Sequence, residues 1–444
     1  MPVIMAAAAL LRLGFAWDYT RHFSAHALGV LPFLFEPGNI AYSLALGHGF
    51  ASPLHVPSGP TAWVAPVYPG LLAVLFRVFG VYAFGVFIAA VALNIVFVTL
   101  ACWPLYALAR RLAGPAAAAL AGWLWAVYPN AILLSYQSMW PGCLAALLSV
   151  TALWAIVALS RQPAAAETDP APMGPASRPA RGPGSARRRR PPWLPWLAYG
   201  LLWGLILLTD PTLVVLLPLW LLWWIWRNRH TAWSGPVITV VAAIICVIPW
   251  TIRNYRALHA WVPVRTDLGL ALWLGNNPRA TYLWHGQQHP LDDGQQRALY
   301  LQQGEVAYMR QKLHLGLAYM ATDPARVLDL AWHRFWIFWS GGSPWPLRSL
   351  ARFRSNWNRY VLLFDLLAGL AALAGMIRLL RRRSPYFFPL AVVVVVVPCA
   401  YYLTLAVPRY RLPVDPAVLL LAALCFLPPR QAGRAASAGP GSLA

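Results

Sequence analysis

The run YAFGVFIAAVALNIVFVTLACWPLYAL, residues 82–108, carries no charged side chain, and Arg110 and Arg111 follow it almost at once. A helix of that length rises well beyond the roughly 30 Å of hydrocarbon in a bilayer. Arginines at its end mark a helix stopping at an anionic leaflet. The run lacks the apolar-polar alternation of an outer-membrane strand, so a β-barrel reading is excluded. Reading it as a membrane-spanning helix decides the fold class, because the same pattern recurs along the chain.

The 444 residues are 59% hydrophobic and only 11% charged, with a mean hydropathy of +0.55, beyond the apolar share of a soluble domain. Further candidate spans run at about 2–17, 115–136, 140–159, 193–209, 212–226, 235–251, 358–378, 385–404 and 413–428. The expected fold is an all-α polytopic membrane protein, a bundle of about ten transmembrane helices with interfacial helices in the outward loops. The first segment has no basic n-region and no small-residue cleavage site, so it reads as a retained span containing Arg12 rather than a signal peptide. The net charge of +22 comes almost wholly from arginine. Those arginines cluster between apolar spans, which points to membrane lipid and away from nucleic acid as a partner. The five cysteines all lie in apolar stretches with no CxxC, and neither disulfides nor a zinc knuckle is inferred.

Parity then sets the domains. Residues 160–191 hold Arg161, Arg178, Arg181 and the run Arg187–Arg190, and read as a cytoplasmic Arg/Pro-rich linker. An N-terminal membrane module at 1–159 precedes it and contains an outward loop at 18–81. A membrane hairpin and span at 192–251, an outward region at 252–357, the C-terminal spans at 358–428 and a cytoplasmic tail at 429–444 follow. Arg227 and Arg229, and Arg381 to Arg383, fall on the cytoplasmic side of the same scheme. It keeps 252–357 outside only if RVLDLAWHRFWIFWSG (326–341) lies along the interface.

The first outward loop carries Glu36, one of three glutamates. Pro37 suits the first turn of a helix, Ile40, Ala41, Leu44 and Ala45 share one face, and Gly47 can end it. Glu36 is then either a simple cap or a reliably charged carboxylate at a helix N-terminus. The apolar segment after Pro66 and Pro69 is too short to span.

In order, IAYSLALGHGF (40–50), GPTAWVAPVYPGLLAVLFRVFG (59–80), YALARRLAG (106–114), AGWLWAVYP (121–129), WLGNNP (273–278), GEVAYMRQK (304–312) and RYRLPVDP (409–416), behind an acidic residue in the first outward loop, resemble bacterial membrane glycosyltransferases of the family 39 type. These share the GT-C fold with protein O-mannosyltransferases and lipid A aminoarabinose transferases. The resemblance implies transfer of a sugar from a polyprenyl-phosphate donor at the outer face of the cytoplasmic (inner) membrane of a bacterium, onto a glycan, lipid or protein acceptor. It makes Glu36 the catalytic carboxylate. Many relatives carry a second acid nearby, where this chain has Pro37 and Gly38. That departure makes a single base the simpler scheme and leaves a divalent metal an option without assigned ligands.

Departing lipid phosphate needs cations. Arg409 and Arg411 lie in a turn between the last two spans on the side where positive-inside statistics disfavour arginine, so both are expected donor phosphate-binding residues, with a structural pair to Asp415 as the competing role for Arg411. Arg253 and Arg256 end another span on that side and are further candidates. Tyr68, Asn276, Asn277 and Tyr410 are candidate pocket or acceptor contacts, as are Trp284, His285 and His289. Gly286 and Pro290 argue against His285 and His289 forming a helical metal pair. Asp210 before Pro211 reads first as a helix cap. With one obvious carboxylate, inversion is the expected stereochemistry. The competing function is a transporter or flippase of lipid-linked envelope intermediates, which would show paired broken helices in matching halves; no such repeat is found.

Overall fold

The computed structural model describes residues 1–160, 191, 193–229, 233–283, 286, 288–346, 349 and 356–427. The linker, apart from its first and last residues, lies outside the described residues, as do the tail, Trp284 and His285.

Among the described residues the protein is helical, and the sole β feature is an isolated bridge between Ala51 and Pro60. The membrane bundle comprises α1 (Pro2–Thr20), α5 (Phe84–Leu100), α6 (Cys102–Ala113), α7 (Pro115–Ala126), α8 (Pro129–Gln137), α9 (Gly142–Leu159), α10 (Leu194–Leu207), α11 (Leu216–Arg227), α12 (Ser234–Leu258), α17 (Asn356–Arg381), α18 (Phe387–Leu403) and α19 (Asp415–Phe426). The connections before α5 hold α2 (Ala25–Val30), α3 (Glu36–Ala45) and α4 (Val67–Phe79). Those after α12 hold α13 (Leu268–Gly275), α14 (Gly294–Gln303), α15 (Glu305–Thr322) and α16 (Pro324–Trp339).

Among the described residues five helical segments are long and apolar enough to cross a bilayer, α5 and α6 counting as one run. A sixth arises if α7 and α8, bent by 42°, form one span. Pro129 opens α8 at that bend. The shorter apolar helices include α10, the stretch Pro211–Arg227, α18 and α19, so each of the ten expected segments is helical.

Close packing follows from small residues. Gly200 and Gly204 stand four apart on α10, and α12 meets them so tightly that a Cβ on Gly200 would lie 2.6 Å from that of Ala242. Buried charge is spent on structure. Arg12, fully buried in α1, donates to the carbonyls of Trp125 at 3.0 Å and Ala126 at 3.1 Å, capping the end of α7. α16 is amphipathic: Leu330, His333, Arg334 and Ile337 are buried, while Leu328 and Trp332 are exposed. That pattern suits the interfacial placement expected for 326–341.

Chain connectivity places the loop before α9, the α10–α11 turn, the end of α12, the end of α18 and the turn before α19 at one end of the bundle. Arg110 and Arg111, Arg227, and Arg378 and Arg381 close helices at the other. The connections holding α2–α4 and α13–α16 pack onto the first of these ends.

Candidate active site

At that end lies a cavity of about 380 Å³, lined by residues 34–37, 63–65, 68–69, 140–142, 209–212, 265–274, 289–292, 400–407 and 409–413 in part. This is within the size range of small-ligand sites.

Glu36 is the first residue of α3, held there by Pro37 after an extended Phe35. Its carboxylate is 5% exposed and lines the cavity. Phe35 occupies the cap position without a side-chain bond, so Glu36 is inside the helix rather than its cap. Gly38 explains the missing second acid: a Cβ there would collide with the Phe33 carbonyl, so no side chain is tolerated two residues after Glu36.

His289, expected from the sequence as a candidate pocket contact, is the partner of Glu36. Its Nδ1 accepts the Leu291 N–H at 3.2 Å, which leaves the proton on Nε2. Nε2 lies 3.1 Å from Glu36 Oε1, and the ring packs on Trp63 at 5.6 Å. Burial alone would raise the Glu36 pKa. The hydrogen bond from His289, the residue's own backbone amide and the nearby Arg409 outweigh burial and hold the carboxyl below its ordinary value. Glu36 is therefore both ionised and buried.

Arg409 stands in the turn Pro408–Arg411, its guanidinium 4.3 Å from the Trp140 ring and 5.3 Å from that of Tyr410. Among the described residues it forms no ion pair, and it lines the cavity. Tyr410 stacks on Tyr401 at 4.8 Å, and the Tyr401 hydroxyl meets Thr212 Oγ1 at 3.1 Å. Tyr68 also lines the cavity, but its hydroxyl donates to Asn94 at 3.1 Å, which makes it wall rather than a free contact.

The other expected residues are elsewhere. Arg411 is fully buried and does not line the cavity. It binds Asp415 at 2.6 Å, Asp365 at 3.4 Å and the Trp339 carbonyl at 3.0 Å, so the structural alternative describes it. Tyr128 and Asn130 complete that knot by donating to Asp365 at 3.0 and 2.8 Å. Arg253 donates to the carbonyls of Phe50 and Thr61, pinning the loop between α3 and α4. Arg256 is exposed at the end of α12 and does not line the cavity. Asn276 and Asn277 spend their amides on carbonyls at the end of α13 and on that of Leu403.

An ion pair on the cavity wall was not anticipated. Arg265 and Asp267 form an ion pair at 2.9 Å just before α13. Burial raises the Asp267 pKa; Arg265 opposes this, and the charges of Asp210 and Glu36 reinforce it. Asp210 caps Thr212 at 3.2 Å, as expected, and lines the cavity as well. The RTD sequence in an outward loop is the signal that could have found the pair. Glu305 fixes this wall from behind, accepting from Ala62 N–H and Thr266 Oγ1 at 2.8 Å and from Tyr300 at 2.9 Å.

Among the described residues no three His, Cys, Asp or Glu side chains come together to hold a metal. Among the described residues Glu36 and His289 offer two adjacent donors, short of the usual set for a divalent ion.

No family model and no curated protein matches the chain. Solved structures do. The oligosaccharyltransferase of Archaeoglobus fulgidus in its apo form superposes with a TM-score of 0.52 at 14% identity, covering 96% of this chain and 50% of that one. Its complex with zinc and sulfate gives 0.50 at 14% identity, covering 95% and 48%. The fold is GT-C-like. The present chain spans about half the length of those proteins. ArnT from Cupriavidus metallidurans bound to undecaprenyl phosphate is similar over 94% of this chain and 77% of that one at 16% identity, in a looser superposition with a TM-score of 0.36.

Proposed function

We propose that this protein is a membrane glycosyltransferase of the family 39 type, transferring a sugar from a polyprenyl-phosphate donor to an acceptor at the outer face of a bacterial inner membrane. One observation carries the reading: a carboxylate kept ionised by a histidine shares a cavity with an arginine that has no carboxylate partner among the described residues. Archaeal oligosaccharyltransferases with the same fold support the class of reaction. Placement of the arginine-closed helix ends in the cytoplasm supports an outward site.

In the mechanism, Glu36 Oε2 accepts the proton of the acceptor hydroxyl as its oxygen attacks the anomeric carbon. The bond from that carbon to the phosphate oxygen breaks, and the phosphate leaves with the electron pair onto the Arg409 guanidinium, whose fork suits two phosphate oxygens. His289 holds Oε1, so the basic oxygen is fixed in direction. Attack and departure on opposite faces of the sugar give inversion. No step needs a metal, and the two-donor pair at Glu36 assigns none. Bond-making distinguishes this reading from a flippase.

The test is transfer of radiolabelled sugar from a panel of polyprenyl-phosphate sugars in native-like membranes by wild type and Glu36→Gln. Turnover by the wild type and a loss of about 100-fold or more in the variant are expected. Equal turnover removes Glu36 from the chemistry.

A further inference from the structure

Resting on the transferase reading, we propose that the cavity selects its sugar by charge, taking an uncharged pyranose and excluding an anionic one such as a uronate, with Asp210, Asp267 and Arg265 as the determinants. The cavity walls carry four carboxylates, Glu36, Asp210, Asp267 and Asp292, against two guanidiniums, Arg265 and Arg409. The two cations are not equivalent. Arg409 lies over Trp140 and has no carboxylate partner among the described residues, which makes it the place for phosphate. Arg265 is already matched by Asp267 at 2.9 Å. The sugar side is left with a surplus of negative charge, with Glu36, Asp210 and Asp267 all lining the same cavity; the charges of Asp210 and Glu36 push the Asp267 pKa upward along with burial.

Such walls suit hydroxyls. Carboxylates only accept hydrogen bonds, and each sugar O–H donates one. Asp210 accepts both the Thr212 amide and the Thr212 hydroxyl on Oδ1, and we assign its Oδ2 to a sugar hydroxyl. The stacked Tyr401–Tyr410 pair adds a flat apolar surface alongside. The carboxylate of a uronate has no proton to offer and would set a third anion beside Glu36 and Asp210 in a partly enclosed cavity, where like charges repel more strongly than in open solution.

The experiment compares polyprenyl-phosphate-linked neutral hexoses with the matching hexuronates, in membranes containing the wild type, Asp267→Asn or Asp267→Glu. The wild type should prefer the neutral donor at least tenfold in kcat/KM. Asp267→Asn releases Arg265 and should reduce that ratio below about threefold, and Asp267→Glu should restore it. A wild-type ratio near one overturns the charge filter while leaving the transferase reading intact, and this arm does not depend on either variant folding. An unchanged ratio in Asp267→Asn also overturns the assignment. Use of neither donor class removes both proposals.

Discussion

Replacing His289 by alanine tests how the cavity keeps a buried carboxylate charged. Nε2 of His289 stands 3.1 Å from Glu36 Oε1 inside a site where burial by itself pushes the carboxyl pKa up. A hydrogen bond to a charged group contributes about 1.5–3 kcal/mol. At about 1.36 kcal/mol per unit, its loss raises the Glu36 pKa by roughly one to two units. A general base works only when ionised, so protonation at higher pH means activity fails sooner on acidification. The acid limb of kcat/KM against pH in membranes should therefore move upward by about one to two units, with the plateau above it less affected. His289→Gln, which can still donate, should move the limb less. A limb that stays in place, or moves to lower pH, refutes the dyad.

Arg409→Ala should raise the donor KM about 10–100-fold in the transfer assay, the range expected from losing a charge-assisted contact to phosphate. Arg411→Ala should act on the fold instead: stranding Asp365 and Asp415 in the bundle costs about 3–5 kcal/mol, read as a lower Tm in detergent, with donor KM of the folded fraction within about threefold. Gly38→Ala should destabilise by about 1–3 kcal/mol through collision with Phe33, visible as a lower Tm and reduced transfer.

Much of the bundle was legible because hydropathy over long windows reports directly on lipid. Each of the ten expected segments is helical, the largest difference in extent being α12, which runs on to Leu258. Glu36 was legible too, since a proline-started helix after the first span fixes a carboxylate at its end. The two arginines of PRYR show where reading stops. In a 3₁₀ turn of about three residues per turn, positions two apart point in different directions. Arg409 reaches the cavity and Arg411 turns into the bundle toward Asp365, a residue in a different helix. Only tertiary contact decides between them. His289 meets Glu36 from the second outward region and Asp267 meets the cavity from the start of α13, pairings with no local pattern. Asn276 and Asn277 were misleading because polar residues closing a short helix look the same whether they meet a ligand or carbonyls.

The most direct measurement is release of free polyprenyl phosphate in a single turnover by purified protein in lipid nanodiscs, with donor affinity determined on the same samples. Wild type should release lipid phosphate in step with acceptor glycosylation, while Glu36→Gln should bind donor within about threefold of wild type and release almost none. Release from the glutamine variant at the wild-type rate would contradict a carboxylate base, and acceptor-independent movement of intact donor by both would point to a flippase.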